Sequence, residues 1–420
     1  MSAKSILIRC GKLYDGIKDV LQKDMEILIR GNKIEDVGKN VAFPQGTEEI
    51  DLSDSTVTPG LIDAHVHLQH FDWRKRQEET IFGSPSWKAM AFLFNARKAL
   101  YRGFTSLRHT GSSTFDDYGG LSAKKLIDLG YFEGSRLVVL PYYHAAVGSH
   151  GDDSQLLASN PPLSRAFYEM FPCQGSGVDF FRDSVREQIK YGADFIKIMA
   201  TGGFSTPNDS PDDQQLSDEE MQAIIDTAHQ LNKPVTAHVY GAHLMKKLIE
   251  MGIDGIEHGA LINEEVAELM EKKDVYLVPT FCPYDEIIRL DEEKLAQKPK
   301  EFQEKLKQYA DRLKAGREVI VKSNIKLGYG SDFVAVHNPY DGGYEYSFWI
   351  LSGMDPFRAL KAATSTNAEI LGRDDIGKIE AGKLADIAAW KRDLLNDHRA
   401  LLDCAFVMKD GVVYPTEKVE

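Results

Sequence analysis

Apolar residues follow one rhythm at the two ends of this chain and another in its middle. Near the N-terminus, Ser5-Ile-Leu-Ile-Arg9 and Met25-Glu-Ile-Leu-Ile-Arg30 are short strand-like runs. Gly31-Asn32, just before Lys33-Ile-Glu-Asp-Val37, predicts a tight hairpin turn. The same texture returns near the C-terminus, in Ala385-Asp-Ile-Ala-Ala-Trp390 and Ala405-Phe-Val-Met-Lys409, followed by Asp410-Gly411 and Val412-Val-Tyr414. Two β-rich ends around a different middle predict one small sheet domain assembled from both termini. The middle alternates instead. Eight strand-like segments, at 61–68, 105–109, 136–142, 194–199, 234–238, 255–258, 275–279 and 325–329, are interleaved with helical patterns at 87–101, 179–191, 217–231, 240–251 and 263–273. Ser217 with Glu220 three residues later is a capping-box signature. The count and alternation predict an α/β fold, a (β/α)8 barrel rather than an open doubly wound sheet. The dinucleotide fingerprint Gly-x-Gly-x-x-Gly is missing after the early strands. Long connections follow the third, fourth, seventh and eighth strands, where a barrel builds its active-site face.

Composition narrows the functional classes. A chain of 420 residues, 43% hydrophobic and 27% charged, suits a soluble barrel with an accessory domain. A net charge of −14 argues against nucleic-acid or anionic-membrane partners, which select basic patches. A small-molecule substrate is the expected partner. Cys10, Cys173, Cys282 and Cys404 are far apart and form neither a disulfide framework nor a Cys-rich zinc motif. The first residues do not read as a signal peptide, and apolar runs are too short to span a membrane. A cytoplasmic location is the expectation.

The chemistry is concentrated at predicted strand ends. Val57-Thr-Pro-Gly-Leu-Ile-Asp-Ala-His-Val-His-Leu68 reads as a turn followed by a buried strand. Residues two apart on a strand share a face, so His65 and His67 project together. Alone, they are either a metal-binding pair or two polar residues at a strand terminus. Other strands add Lys197 between Ile196 and Ile198, then His238, His258 and Asp332. Burying an unpaired ammonium is costly, so Lys197 should be paired, neutralised or modified. Six such positions converging on one barrel face favour a metal site.

His65-x-His67, a strand lysine, two later single histidines and a terminal aspartate resemble the metal-dependent amidohydrolase superfamily. The resemblance runs nearly end to end. It includes Thr58-Pro-Gly-Leu-Ile-Asp-Ala-His-Val-His67, Ala363-Thr-Ser-Thr-Asn-Ala368 and Ile376-Gly-Lys-Ile-Glu-Ala-Gly-Lys-Leu-Ala-Asp386. It implies a distorted (β/α)8 TIM barrel over residues 61–371 and a small β-sandwich from residues 1–60 plus 372–420. It also implies a carbamate on Lys197, formed with carbon dioxide and bridging two divalent metal ions. His65, His67 and Asp332 would hold one ion, His238 and His258 the other. A bridging hydroxide would attack the scissile carbonyl, with Asp332 passing its proton to the leaving amine. Zinc suits these ligands; manganese, iron, nickel and cobalt take the same ligand types.

Within the superfamily, Ala200-Thr-Gly-Gly203, His238-Val-Tyr-Gly241, Gly255-Ile-Glu-His-Gly259 and Gly330-Ser-Asp332 resemble the imidazolonepropionase-related branch. That branch contains dipeptidases cleaving Xaa-Pro, or Xaa before a C-terminal Arg or Lys. The resemblance implies amide cleavage in a dipeptide or an N-acyl amino acid, with another small amide, carbamate or lactone as the alternative. The branch's Gly-Gly-His-Gly appears as Gly148-Ser-His-Gly151, with Ser149 replacing a glycine. His150 would donate a hydrogen bond to the substrate carbonyl, and Tyr240 would sit near the substrate carboxylate. Arg108 would bind a carboxylate or form a structural ion pair. Relatives are often homo-oligomers.

Mononuclear deaminases of the superfamily lack the lysine and carry a glutamate shortly after the fifth-strand histidine. Here Val239-Tyr-Gly-Ala242 follows His238. Imidazolonepropionase also lacks the lysine, and a non-catalytic scaffold would have lost ligands that are intact here. Asp116, Asp117, Asp152 and Asp153, in loops after the second and third strands, either attract a basic substrate side chain or are simply solvated. His70, His109, His144, His229, His243, His337 and His398 are expected on the surface or behind the ligands, with only His109, His144 and His337 near strand ends.

Overall fold

The computed structural model describes residues 4–71, 75–112, 115–204, 206, 209–288, 300–332 and 340–417. The N-terminal strands are β1 (Ser5–Leu13), β2 (Gln22–Arg30), β3 (Lys33–Gly38) and β4 (Glu48–Pro59). Then come β5 (Leu61–Val66), β6 (Phe104–Ser112) and β7 (Arg136–Tyr142), which form a parallel sheet. A two-residue ladder, β8 (Ala145–Ala146) with β9 (Gln174–Gly175), pins the long third loop. A second parallel sheet holds β10 (Ile196–Met199), β11 (Val235–Gly241), β12 (Gly255–Leu261) and β13 (Tyr276–Val278). The chain ends with β14 (Ile387–Trp390), β15 (Cys404–Lys409) and β16 (Val412–Tyr414).

The two termini do meet. One seven-stranded sheet runs β16-β15-β14-β4-β1-β2-β3. Alternate residues drive it: Ile6, Ile8, Ile27, Ile29, Ile387 and Phe406 belong to one buried cluster, whereas Leu7, Leu28 and Val41 pack on the other side. The sheet runs directly into the parallel strands. β4 ends at Pro59 and β5 begins at Leu61, so Gly60 alone joins them. A Cβ on Gly60 would lie 2.3 Å from the Thr105 side chain, which explains a glycine at the junction.

The two parallel sheets are linked on both flanks. An isolated parallel bridge pairs His144 with Ile198, and another pairs Leu277 with Leu327. Past Leu327, Ala64 N–H donates to Tyr329 O at 2.8 Å, and Asp332 N–H to His65 O at 2.8 Å. The eighth predicted strand, 325–329, therefore differs from expectation: it has a single bridge instead of a ladder. The reason is local. The Asn367 side chain takes over ladder positions, donating to Ile62 O and Tyr329 O at 2.7 Å each and accepting from Tyr329 N–H at 3.1 Å.

Helices cover the parallel strands. Asp218–Gln230 starts on the full capping box of Ser217 and Glu220 and buries Met221, Ile224, Ile225 and Ala228 on one face. Each large side chain so buried contributes about 1.5–3 kcal/mol. Pro85–Tyr101 starts on a Ser84 cap, and Glu264–Lys273 on an Asn263 cap. A long helix, Lys300–Lys322, follows the seventh strand. Among the described residues, no helix is long and apolar enough to cross a membrane. All four cysteines are buried, and none forms a disulfide among the described residues.

Candidate metal centre

The alternation of β5 brings Asp63, His65 and, beyond its end, His67 to one side of the strand. Asp332 arrives from residues 325–332 and completes a three-residue group whose possible ligand atoms all lie within 4.8 Å of one another. Its Oδ1 is 3.7 Å from His65 Nε2 and 3.6 Å from His67 Nε2. Lys197 Nζ, on β10, lies 3.4 Å from His65 Nε2. His258 lies 4.9 Å from His65 between ring centroids, and His238 lies 4.6 Å from His258. All six expected positions thus converge.

The backbone is bent to achieve this. His258, within β12, Thr280, just past β13, and Asp332, past the 325–329 segment, have φ of +70°, +45° and +41°. Such angles are unfavourable for residues with a Cβ and persist only where the surroundings fix them. At His258 the consequence is direct. Strict alternation would point Glu257 and His258 to opposite faces, but the left-handed turn brings both into the interior. Asp332 is held by its own N–H and by Asp63 beneath it. The Asp63 carboxylate accepts from Ser331 Oγ (2.6 Å), Ser331 N–H (3.1 Å), His65 N–H (3.1 Å) and Tyr340 Oη (2.8 Å).

Second partners orient the imidazoles. His65 Nδ1 meets Glu257 Oε2 at 2.6 Å, His67 Nδ1 meets Gly111 O at 2.8 Å, and His258 Nδ1 meets Thr280 Oγ1 at 2.8 Å. This leaves the Nε2 atoms of His65 and His67 toward Asp332. His238 Nε2 is buried and has no hydrogen-bond partner among the described residues. Burial first, and neighbouring cationic groups second, hold all four imidazoles well below the ordinary histidine range. Neutral rings with one nitrogen tied back are ready ligands. Lys197, 2% exposed, forms no ion pair among the described residues. Burial lowers its ammonium to about 8, against the opposing pull of Glu257 and Asp332. An orphaned imidazole nitrogen, a compact His-His-Asp group and an unpaired buried lysine fit divalent metal binding.

Substrate-side expectations divide. His150 stacks on His238, with centroids 4.7 Å apart and planes 23° apart. Tyr240 stacks on His258 at 5.4 Å, and its hydroxyl is bonded to that of Tyr284. Both therefore border the histidine cluster. Arg108 does not reach out to a substrate. Its Nε donates to Ala64 O (2.6 Å), its Nη1 to Tyr276 Oη (2.9 Å) and its Nη2 to Glu257 Oε1 (2.6 Å), in a site only 2% exposed. The structural ion pair is the reading that matches: Arg108 anchors Glu257, which orients His65. Asp116 and Asp152 are buried and accept from their own loops, at Tyr118 N–H and at Gly148 and Ser154 N–H. These two carboxylates thus order their own loops, while Asp117 is exposed.

Among the other histidines, His109 and His144 are buried, and His229 pairs with Asp254 at 2.7 Å on the surface. His70, expected on the surface or behind the ligands, is buried beside Glu79 at 3.5 Å. His337 lies outside the described residues. Glu257, Thr280, Asp63 and Tyr284 were missed by the sequence reading. A signal existed for two of them: Asp63 is two residues before His65 on the same strand face, and Glu257 directly precedes His258.

Residues 56–416 match the amidohydrolase family. Ochratoxinase of Aspergillus niger is 28% identical over 414 residues, spanning 94% of this chain and 83% of that protein. A Xaa-Pro dipeptidase crystallised with methionine in its active site superposes with a TM-score of 0.83 at 28% identity, covering 98% of this chain and 100% of the other. A prolidase in complex with N-methylphosphonate-L-proline gives a TM-score of 0.83 at 26% identity, covering 99% and 100%.

Proposed function

The chain belongs to the amidohydrolase family, and on that premise we propose that it cleaves the amide bond of a dipeptide or N-acyl amino acid at a centre for two divalent ions. The observation that carries the reading is the His65-His67-Asp332 group beside a buried Lys197 that has no ion-pair partner among the described residues. His65, His67 and Asp332 are suited to one ion, and His238 and His258 to the other. Lys197, as a carbamate, would give the anionic oxygens that two ions share. When bound, such ions, most simply zinc, supply an activated water and polarise a carbonyl.

The chain's own residues supply the rest. Asp332 takes a proton at its carboxylate and delivers it to the leaving nitrogen. Asp63 and the Asp332 N–H fix that carboxylate in place. His150 faces the carbonyl oxygen, and Tyr240 lines the substrate side next to His258. The Xaa-Pro dipeptidase, the prolidase and ochratoxinase support an amide substrate through their likeness to this chain. We propose the same division of the chain as in those relatives' superfamily. Residues 61–371 are a distorted (β/α)8 barrel, supported by the bridges on both flanks of its sheets. Residues 1–60 plus 372–420 are a β-sandwich, a reading supported by the seven-stranded sheet and the buried clusters on its two sides.

The test is hydrolysis of a library of dipeptides and N-acyl amino acids by protein whose metal has been counted. Two metals per chain and release of one class of C-terminal residue is the expected result. Two metals without turnover would move the substrate to another amide, a carbamate or a lactone. No bound metal would overturn the reading.

A further inference from the structure

Behind His150, on the side away from His238, lies a polar relay that the proposed chemistry does not use. His150 Nδ1 is 2.7 Å from Thr206 Oγ1, and Thr206 Oγ1 is 2.5 Å from Asp209 Oδ2. Asp209 also accepts from Lys305 Nζ at 2.9 Å, Gly203 N–H at 3.3 Å and Gln215 Nε2 at 3.4 Å. Burial alone would push this carboxyl up, but the facing His150 ring and hydrogen bonds from Thr206 and Lys305 bring it down to about 2. An ionised carboxylate accepts and cannot donate.

The direction of the relay then follows from counting protons. Thr206 has one hydroxyl proton, and the contact with Asp209 requires it. Toward His150, Thr206 Oγ1 has only lone pairs to offer. The 2.7 Å contact is a hydrogen bond only if His150 Nδ1 carries the proton. The ring also has little freedom to turn over. A Cβ on Gly203 would lie 2.2 Å from His150 Cε1, and the opposite face stacks on His238.

We infer that Asp209 and Thr206 are positioning residues that hold His150 as its Nδ1–H form, so that Nε2 is the nitrogen presented to the substrate. The inference rests on the reading of His150 as a substrate-facing group. With Nδ1 engaged by Thr206, any hydrogen bond between His150 and a substrate carbonyl runs through Nε2. The relay fixes that choice of nitrogen. It also ties the site to the helix Lys300–Lys322, because Lys305 binds both Asp209 and the Gly203 carbonyl, the latter at 3.0 Å.

The experiment uses the full chain loaded with zinc. Histidine ring tautomers are read from long-range ¹H–¹⁵N spectra, with the His150 signals identified by their absence in His150→Gln. The expected result is an Nδ1 proton on His150 in the unaltered protein and in Thr206→Ser, and its loss or exchange between nitrogens in Thr206→Val. In parallel, Thr206→Val should lose roughly 10²-fold in kcat with little change in KM, while Thr206→Ser stays near the unaltered enzyme. Asp209→Asn should resemble Thr206→Val; if it fails to fold for want of the Lys305 pair, the two Thr206 variants still decide. A neutral His150 carrying its proton on Nε2, or equal activity of the Val and Ser variants, overturns the inference. The tautomer is read without substrate, so failure to find amide turnover leaves that measurement standing.

Discussion

The parallel strands carry charged side chains at both ends, and the two ends treat them differently. At the N-terminal end, a crater of ≈ 550 Å³ is lined by Lys124, Arg136, Lys326, Asp194, Asp274 and Glu369 among others. Each of these cations has a carboxylate: Lys124 with Asp194 at 2.6 Å, Arg136 with Asp386 at 2.6 Å, Lys326 with Asp274 at 2.7 Å and Glu369 at 2.8 Å. At the C-terminal end, four imidazoles and one lysine gather around Asp332, with Glu257 as the carboxylate behind His65. Lys197 has no ion-pair partner there among the described residues, and His238 Nε2 has no hydrogen bond. A roomy, charged cavity is therefore not by itself a functional site. Groups buried without partners are the better guide, because leaving them so is unfavourable unless something else completes them.

Breaking the C-terminal end should have the largest effect. Asp332→Asn removes an anionic ligand and a proton carrier, and turnover should fall by roughly 10³-fold or more with the circular dichroism unchanged. Near-normal turnover would reject the assigned chemistry. Lys197→Ala should lower the metal count per chain, read by elemental analysis, and added short carboxylic acids should partly restore it. If the purified variant keeps two metals without added acid, Lys197 is not the shared ligand. Glu257→Gln acts one layer below. It weakens the orientation of His65, so metal affinity should drop about 10–100-fold in a chelator competition. Metal affinity equal to that of the unaltered chain would detach Glu257 from the centre. The opposite end supplies the smallest effect. Lys326→Met removes a partly exposed pair network, and chemical denaturation should register a change within about 1 kcal/mol, with metal content intact. A large loss of activity there would mean that the crater is functional after all.

The sequence made the metal end legible because its signals are local. A shared strand face joins His65 to His67, isoleucines flank Lys197, and single histidines end the fifth and sixth strands. The supporting layer was harder to see. Arg108, Thr236 and Glu257 form a buried chain only because three strands place them at one depth, with Thr236 Oγ1 donating to Glu257 Oε1 at 2.7 Å. Separations of 149 residues between Arg108 and Glu257 and 192 between His65 and Glu257 leave no local pattern. The eighth strand illustrates the converse. Its apolar texture was visible, but the side chain of Asn367 takes over part of its pairing toward β5, which periodicity does not reveal. Thr206 and Asp209 lie in a loop without hydrophobic period, so their service to His150 shows only in the folded chain.

Gly60 also dictates an order of events. The strand that delivers His65 and His67 continues from β4, and β4 completes its pairing only with β14, Pro59 opposite Ile387. Gly60 N–H itself donates to Asp386 O at 2.8 Å. A chain still being synthesised, with its first sixty residues long since emerged, has no Asp386 to receive that bond. Such a distant pairing closes late and slowly. The ligand strand is thus anchored at its base by a segment far downstream in the chain, so a nascent chain cannot lock its metal-binding end into final form before that distant segment has emerged.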